Sequence, residues 1–267
     1  MRLDPQRVAS VMREIAQEEL LPRFKTLARN DVWEKERGGT VTVADLESER
    51  RLQQALTDLV PGSLVLAEED AEENPEAIQY LNQAAPVWIV DPLDGTKNFA
   101  AGKDQYAMIV AYYDRGAVRA GWILSPSTGH MAMAEEGAGA WSDDGPLKAA
   151  SPTPLGETTG FLGNRIRKIE GVAGRFGDLV NHRCRGYEYV ALASGDLHFA
   201  HYRSLKAWDH AAGDLIVREA GGHVAGFDSE ALYEPANPDY NGLLVASDEA
   251  SWNEIVEILR PAVATLD

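Results

Sequence analysis

The sequence predicts an α+β fold, with an antiparallel sheet in its first half and a mixed α/β arrangement in its second half. Three apolar, strand-like runs follow one another between residues 106 and 134, joined by short turns that contain glycine or proline. Two segments with apolar residues at helical spacing precede these runs, and strands alternate with helices after residue 157. Residues 149–157 are rich in Ser, Pro and Thr, so we divide the chain there, into residues 1–150 and 151–267.

The segments before the sheet predict two helices and a loop. Apolar residues from 8 to 24 recur near helical spacing and predict an amphipathic first helix, which Pro22 is expected to kink or end. Residues 30–39 are polar and predict a mobile loop that carries Lys35. A second helix is predicted to start near Asp45 and to end at a Pro-Gly pair.

The stretch from Asp91 to Phe99 carries most of the functional information. The apolar run at residues 87–90 predicts a buried strand, and Pro92 is expected to end it because proline has no N–H for the ladder. Asp91 and Asp94 would then leave the strand on a tight turn, close enough to share one hard cation. Gly95 and Thr96 would open a short helix, where free N–H groups favour an anion. The same residues also fit a plain Asp-Pro turn followed by a capping aspartate.

The remaining elements are predicted from apolar runs and their flanking residues. Residues 70–75 predict an acidic loop, in which Glu72 and Glu73 are solvated, and residues 75–81 predict a short helix. In the second half, strands are expected at residues 159–162, 197–202 and 243–246, and helices at 172–180, 187–194, 209–220 and 252–259.

Composition excludes several classes of function. The net charge of −17 disfavours nucleic acid or an anionic membrane as a partner. Cys184 is the only cysteine, so neither an intrachain disulfide nor a thiolate zinc cluster can form. The first residues lack the apolar core of a signal peptide, and no apolar run is long enough to span a bilayer. We therefore expect a cytoplasmic protein.

Four motifs together resemble the inositol monophosphatase family of metal-dependent sugar-phosphate phosphatases. They are the Thr-Val-Ala-Asp run ending at Asp45, the pair Glu68-Glu69, the Asp91–Phe99 stretch, and Trp208-Asp209 with the helix that follows to Gly222. Their order and spacing match the family across nearly the whole chain. The resemblance implies a layered α/β/α/β/α sandwich, with the active site where the two halves meet, and a homodimer.

The resemblance also implies a set of site residues. Two or three Mg²⁺ ions would bind at Glu68, Asp91, Asp94, Asp209 and the Leu93 carbonyl. Glu68 and Thr96 would hold the attacking water, with Asp45 orienting Thr96, and Asp94, Gly95 and Thr96 would bind phosphate. Without the resemblance, Glu68 fits a surface acid and Asp209 a helix N-cap. Trp208 is expected in the core, and His210 at the surface or behind the ligands.

The substrate side departs from the family pattern. Many members carry an acid seven residues before the position of Asp209, where this chain has Tyr202, followed by Arg203. The family's small Gly-Ser-Ala run is here the basic run Arg183-Cys184-Arg185. We assign Tyr202, Arg203, Cys184 and Gly195 to substrate binding.

The expected function is a Mg²⁺-dependent, lithium-sensitive phosphomonoesterase that resembles inositol-1-monophosphatase and acts on small phosphorylated polyols. Phosphatases of histidinol phosphate, fructose 1,6-bisphosphate or 3′,5′-bisphosphonucleotides are alternatives on the same fold. A scaffolding protein without turnover is an alternative of a different class, and the full set of carboxylates argues against it.

Overall fold

The computed structural model describes residues 3–35, 38–237 and 242–264. Within them the α-helices are α1 (Pro5–Ile15), α2 (Val43–Leu59), α3 (Glu68–Glu73), α4 (Thr96–Ala100), α5 (Asn164–Arg167), α6 (Arg185–Ser194), α7 (Ala207–Glu219) and α8 (Glu249–Val263). The strands are β1 (Val32–Glu34), β2 (Thr40–Thr42), β3 (Leu64–Ala67), β4 (Val87–Asp94), β5 (Ala107–Asp114), β6 (Ala117–Ser125), β7 (His130–Glu135), β8 (Gly139–Ser142), β9 (Gly145–Pro146), β10 (Thr159–Leu162), β11 (Asp178–Leu179), β12 (Phe199–Tyr202), β13 (His223–Gly226) and β14 (Leu243–Ala246).

Two sheets and three helical layers form the body of the molecule. The larger sheet has the order β3-β4-β5-β6-β7-β8-β9, and the smaller has the order β11-β10-β12-β14-β13. Helices α1 and α2 pack on one face of the larger sheet, α6 and α7 lie between the sheets, and α8 covers the far face of the smaller sheet. The predicted α/β/α/β/α sandwich is confirmed. The larger sheet is antiparallel from β4 onward, but β3 runs parallel to β4.

Strand β4 shows why the central apolar run is buried on both faces. Side chains alternate along a strand, so Val87 and Ile89 enter the core around α7, whereas Trp88 and Val90 enter the core beneath α1 and α2. All four are at most 1% exposed. When both faces of a strand are covered, every position is buried and the usual alternation of apolar and polar residues is lost. The sequence of the strand is then a continuous apolar run.

Small residues allow α7 to fit between the two sheets. A Cβ atom at Gly213 would lie 2.1 Å from the Tyr189 ring, which excludes any larger residue there. On the opposite side, a Cβ at Gly121 of β6 would lie 2.9 Å from the Cα of Ala212. The close approach of α7 to helix α6 at Gly213 and to strand β6 at Ala212 leaves α7 almost completely buried.

Two segments of the first half differ from prediction. Residues 30–39 were expected to be a loop, but they form a short helical turn and strand β1, which pairs with β2. Glu36 and Arg37 lie outside the described residues. The acidic segment after β3 is helix α3 and not a loop, and a 3₁₀ helix follows it at Pro75–Asn82.

Strand β4 also continues past Pro92, which was expected to end it. Asp91 lies opposite Ile109 and Asp94 lies opposite Ala107, so the strand bulges between the two aspartates. The bulge removes Pro92 from the hydrogen-bonded ladder, which is how a strand tolerates proline.

The predicted helix at residues 172–180 is wrong. A short 3₁₀ turn at Ala173–Arg175 and strand β11 occupy this segment. Gly171, Gly174 and Gly177 interrupt it, and glycine weakens a helix interior by about 1 kcal/mol per residue. Strand β13 and the short helix α5 were not predicted. No helix of the described residues is long and apolar enough to cross a membrane.

Candidate functional site

The bulge at the end of β4 holds two buried carboxylates. Asp91 is 1% exposed and Asp94 is 9% exposed. The Leu93 N–H donates to Asp91 Oδ1 at 3.0 Å inside the bulge, where the sequence had predicted a tight turn beyond the strand. The bulge therefore holds both acids at the end of a rigid core strand.

Asp94 is held by the start of α6. Its Oδ2 accepts hydrogen bonds from the Gly186 N–H at 2.6 Å and from the Cys184 thiol at 3.0 Å. Burial raises the pKa of Asp94 to about 6, and these two hydrogen bonds act in the opposite direction. A Cβ at Gly186 would lie 2.5 Å from the Cβ of Ala107, so only glycine brings this N–H so close to the strand.

Thr96 and Asp45 form the second part of the site. Gly95 has φ +86°, a conformation that favours glycine, and it turns the chain from β4 into α4. The Thr96 Oγ1 then lies 3.0 Å from Asp45 Oδ1 and 3.0 Å from the Leu93 carbonyl. Asp45 is not the N-cap of α2; Thr42 is, and the Thr42 N–H and hydroxyl both donate to Asp45 Oδ2. Burial raises the pKa of Asp45 to about 7.

Glu68 opens α3 and faces a lysine. The Lys35 Nζ lies 3.3 Å from Glu68, 2.8 Å from Glu69 and 2.9 Å from Glu72. Burial favours a lower pKa for Lys35, but the three carboxylates outweigh it and raise the pKa above its ordinary value. Glu72 also pairs with Lys206 at 2.9 Å, so the expectation that Glu72 is merely solvated is wrong.

Asp209 enters the site from the first turn of α7 and remains partly exposed. Desolvation raises its pKa well above the ordinary range, and the charges of Glu68 and Asp94 raise it further. Burial likewise raises the pKa of Asp91, with added repulsion from Glu68, Asp94 and Asp209. Glu68, Asp94 and Asp209 all act on the pKa of Asp91, so we treat the four acids, which come from α3, β4 and α7, as one acidic cluster.

The donor chemistry of this cluster fits a hard cation such as Mg²⁺. The cluster supplies only oxygen atoms, which Mg²⁺ prefers as ligands. Within the described ranges, no three His, Cys, Asp or Glu side chains are arranged to hold a metal ion as they stand.

The residues assigned to the substrate side are scattered. Cys184 reaches the site through Asp94, but Gly195 caps the far end of α6, about 15 Å along the helix axis. Tyr202 is 1% exposed, and the Arg185 guanidinium covers its ring at 4.7 Å. Arg203 is exposed. Cys184 contacts Asp94 of the acidic cluster, and substrate binding by the whole set stays a prediction.

Arg185 is a cation that the assigned set leaves out. Its Nη1 lies 2.8 Å from the buried Glu188, and its charge acts on both Asp94 and Asp209. The basic run around Cys184 was visible in the sequence, but strand and helix patterns alone do not tell which of its arginines turns inward.

His210 and Trp208 lie in the interior. Trp208 is 7% exposed, as expected for a core residue. His210 is fully buried, with its ring nitrogens 2.7 Å from the Tyr189 hydroxyl and 2.8 Å from the Ser204 carbonyl. The surface alternative for His210 is therefore excluded, and its ring anchors the start of α7 behind Asp209.

The structure combines a five-layered sandwich with an acidic cluster at the end of a strand and a threonine–aspartate pair beside it. This combination defines a class of protein, and comparison with known proteins identifies the family. The profile of the inositol monophosphatase family matches residues 4–263. The chain belongs to the inositol monophosphatase family, whose members depend on Mg²⁺.

Individual relatives agree with this membership. The chain is 30% identical over 227 residues to a fructose-1,6-bisphosphatase/inositol-1-monophosphatase from Thermotoga maritima, covering 81% of this chain and 84% of the relative. It is 31% identical over 256 residues to the Nus factor SuhB of Pseudomonas aeruginosa, covering 89% and 90%. The structure superposes with a TM-score of 0.81 on an IMPase/NADP phosphatase complexed with Mg²⁺ and phosphate, at 19% identity over 95% of this chain and 94% of that one.

Proposed function

We propose that this protein is a Mg²⁺-dependent phosphomonoesterase that hydrolyses inositol 1-phosphate or a similar polyol monophosphate. The observation that carries the proposal is the cluster of Glu68, Asp91, Asp94 and Asp209 beside the hydrogen-bonded pair of Thr96 and Asp45. The Mg²⁺ and phosphate in the superposed relative support the same chemistry.

The metal ligands in this proposal come from the acidic cluster. One Mg²⁺ would be held by Glu68, Asp91, Thr96 and the Leu93 carbonyl. A second would be held by Asp91, Asp94 and Asp209, and the proposal allows for a third ion. When bound, Mg²⁺ would neutralise the phosphoryl oxygens and lower the pKa of a bound water. Hydrolysis of a phosphate ester needs mainly such charge neutralisation and positioning.

The protein side chains would position the water and the phosphate. Asp45 accepts a hydrogen bond from the Thr96 hydroxyl at 3.0 Å and thereby fixes the direction of the Thr96 lone pairs. A water held between Thr96 and Glu68 could pass its proton to the Glu68 carboxylate, which is general-base catalysis. Asp94 and the Gly95 and Thr96 N–H groups would orient the phosphate at the start of α4.

The test is phosphate release from inositol 1-phosphate with and without Mg²⁺, for the wild type and Asp94→Asn. An asparagine keeps the shape but removes a ligand charge, so we expect a loss of about 100-fold or more in kcat with the fold intact. Asp144→Asn is a matched control, because the Asp144 side chain is 88% exposed. Turnover of Asp94→Asn close to wild type in saturating Mg²⁺ would refute the proposed site.

Lithium provides a second test of the metal site. We expect inhibition by Li⁺ through competition at a Mg²⁺ position, measured against matched concentrations of Na⁺. Equal rates in the two salts would argue against a second Mg²⁺ position. A homodimer is the expected assembly, and light scattering during size-exclusion chromatography would test it.

A scaffolding role is the alternative that the SuhB relatives favour, because they are named as Nus factors. The same phosphate-release assay separates the two functions. A panel of histidinol phosphate, fructose 1,6-bisphosphate and adenosine 3′,5′-bisphosphate would identify the preferred ester. A folded wild-type protein that releases phosphate from none of these esters, with Mg²⁺ present, would favour the scaffold.

A further inference from the structure

Glu49 is a buried acid that grips the start of α3 from a neighbouring helix. It lies on α2 and is 6% exposed. Its Oε2 accepts the Glu69 N–H at 2.9 Å, and its Oε1 accepts the Asp70 N–H at 3.0 Å. These are the two N–H groups that an N-cap side chain of α3 would satisfy. The N-cap residue is Ala67, which has no side chain that can do so.

Asp45 makes the corresponding contact on the other side of the site. It precedes Glu49 by four residues on α2, about 6 Å along the helix axis, so the two acids share one face. Asp45 binds the Thr96 hydroxyl, whereas Glu49 binds the backbone directly after Glu68. One face of α2 therefore contacts both α4, which carries Thr96, and α3, which carries Glu68. These are the two candidate water-holding residues.

We propose that Glu49 is a positioning residue that fixes Glu68 relative to Thr96 by tying α3 to α2. This inference rests on the proposed function for the roles of Glu68 and Thr96. A carboxylate suits the task because it offers an acceptor oxygen to each of two N–H groups. Glutamine offers one acceptor oxygen, and its NH₂ group would face the second N–H. Within the described ranges, no Lys, Arg or His side chain forms an ion pair with Glu49, so the α3 backbone is the main partner of its charge.

The experiment compares full-length wild type with Glu49→Gln. The Mg²⁺ concentration needed for half of the Mg²⁺-induced rise in Tm measures binding without turnover, and phosphate release from inositol 1-phosphate measures kcat and KM. We expect about tenfold more Mg²⁺ for the half-rise and a drop in kcat of about 10- to 100-fold, with KM for the ester within about threefold, because misplacement by 1 Å can cost 100-fold. Glu47→Gln is the control: Glu47 is a half-exposed acid on α2, paired with Arg50, and its loss should change none of these values.

A second variant separates positioning from simple capping. Ala67→Ser would give α3 its own N-cap, which should restore the Tm of Glu49→Gln and keep it folded if the single variant unfolds. The tie to α2 would still be missing, so we expect the Mg²⁺ requirement and kcat of the double variant to stay impaired. Recovery of both by Ala67→Ser would overturn the inference, because capping alone would then explain the role of Glu49.

The remaining outcomes separate this inference from the proposed reaction. If the wild type releases no phosphate but Glu49→Gln still needs about tenfold more Mg²⁺, the positioning role stands and the proposed reaction fails. If phosphate release requires Mg²⁺ but Glu49→Gln changes neither kcat nor the Mg²⁺ requirement, the positioning role fails and the reaction stands. A wild type without any Mg²⁺-induced rise in Tm overturns the positioning role.

Discussion

Replacing Thr96 by valine tests the water-holding pair most directly. Valine keeps the shape and the β-branch of threonine but removes the hydroxyl. Asp45 would keep two of its three hydrogen bonds, those from the Thr42 N–H and hydroxyl at 2.8 and 2.6 Å, and would lose the one from Thr96 at 3.0 Å. Thr96→Ser is the matched control, since serine retains the donor.

The structure indicates two separate magnitudes for this change. Loss of one hydrogen bond to a buried carboxylate costs about 2 kcal/mol, and for a chain of this size that corresponds to a fall in Tm of roughly 4–8 °C. Loss of a group that aligns the attacking water should reduce kcat by about 100-fold or more. Thr96→Ser should stay close to wild type in both respects.

The assay combines thermal unfolding without metal and phosphate release in saturating Mg²⁺ for the wild type and both variants. The loss expected for general-base chemistry is about 100-fold or more. If folded Thr96→Val instead has a kcat within about threefold of that of Thr96→Ser, the hydroxyl does not hold the water. A fall in Tm without a loss of kcat would leave Thr96 a purely structural partner of Asp45.

Three further predictions concern pH, packing and substrate charge. Burial lowers the pKa of His201 to about 4, so this side chain takes up its proton at a higher pH in the unfolded chain than in the folded chain. His201 should therefore contribute a loss of about 3 kcal/mol of stability as the pH falls from 6.5 to 4. Urea unfolding across this range should show a smaller loss for His201→Leu, and equal losses would contradict the prediction. Gly186→Ala should lower stability by about 1–3 kcal/mol and weaken Mg²⁺ binding, because its Cβ meets Ala107; unchanged urea midpoints would refute this. Arg185→Gln should reduce kcat/KM about tenfold more for fructose 1,6-bisphosphate than for glycerol 2-phosphate, whereas an equal reduction would show that Arg185 does not contact the second phosphate.

The spacing of apolar residues could predict the core elements around the site, because buried positions in helices and strands are occupied by apolar residues. The run before Asp91 and the stripe of α2 both lie where expected, but the two acids lie inside the bulged strand and not beyond its end. The acidic cluster was identified through the family's motifs, since four acids from three separate elements have no common spacing in the sequence. Their roles as metal ligands stay a prediction.

The incorrect predictions of secondary structure share one cause. They depend on how separate segments of the backbone pair and pack, which local side-chain patterns do not show. The bulge in β4 depends on how β5 pairs with it, which no local pattern shows. Residues 32–34 were assigned to a loop because their pairing with β2 is not visible in any local sequence pattern, whereas Lys35 lies outside β1, in the connection to β2. The contact between Arg185 and the Tyr202 ring depends on how α6 packs against β12, which the sequence pattern does not show.

The burial of α7 between the two sheets has a consequence for how the chain unfolds. One continuous core joins residues of the larger sheet, α7 and the smaller sheet, so neither sheet can separate without exposing the helix. Residues 1–150 and 151–267 should therefore melt together in one cooperative transition. Amide protons in the middle of α7 should exchange with solvent only through that global opening, more slowly than those of the hairpin β8–β9 at the edge of the larger sheet.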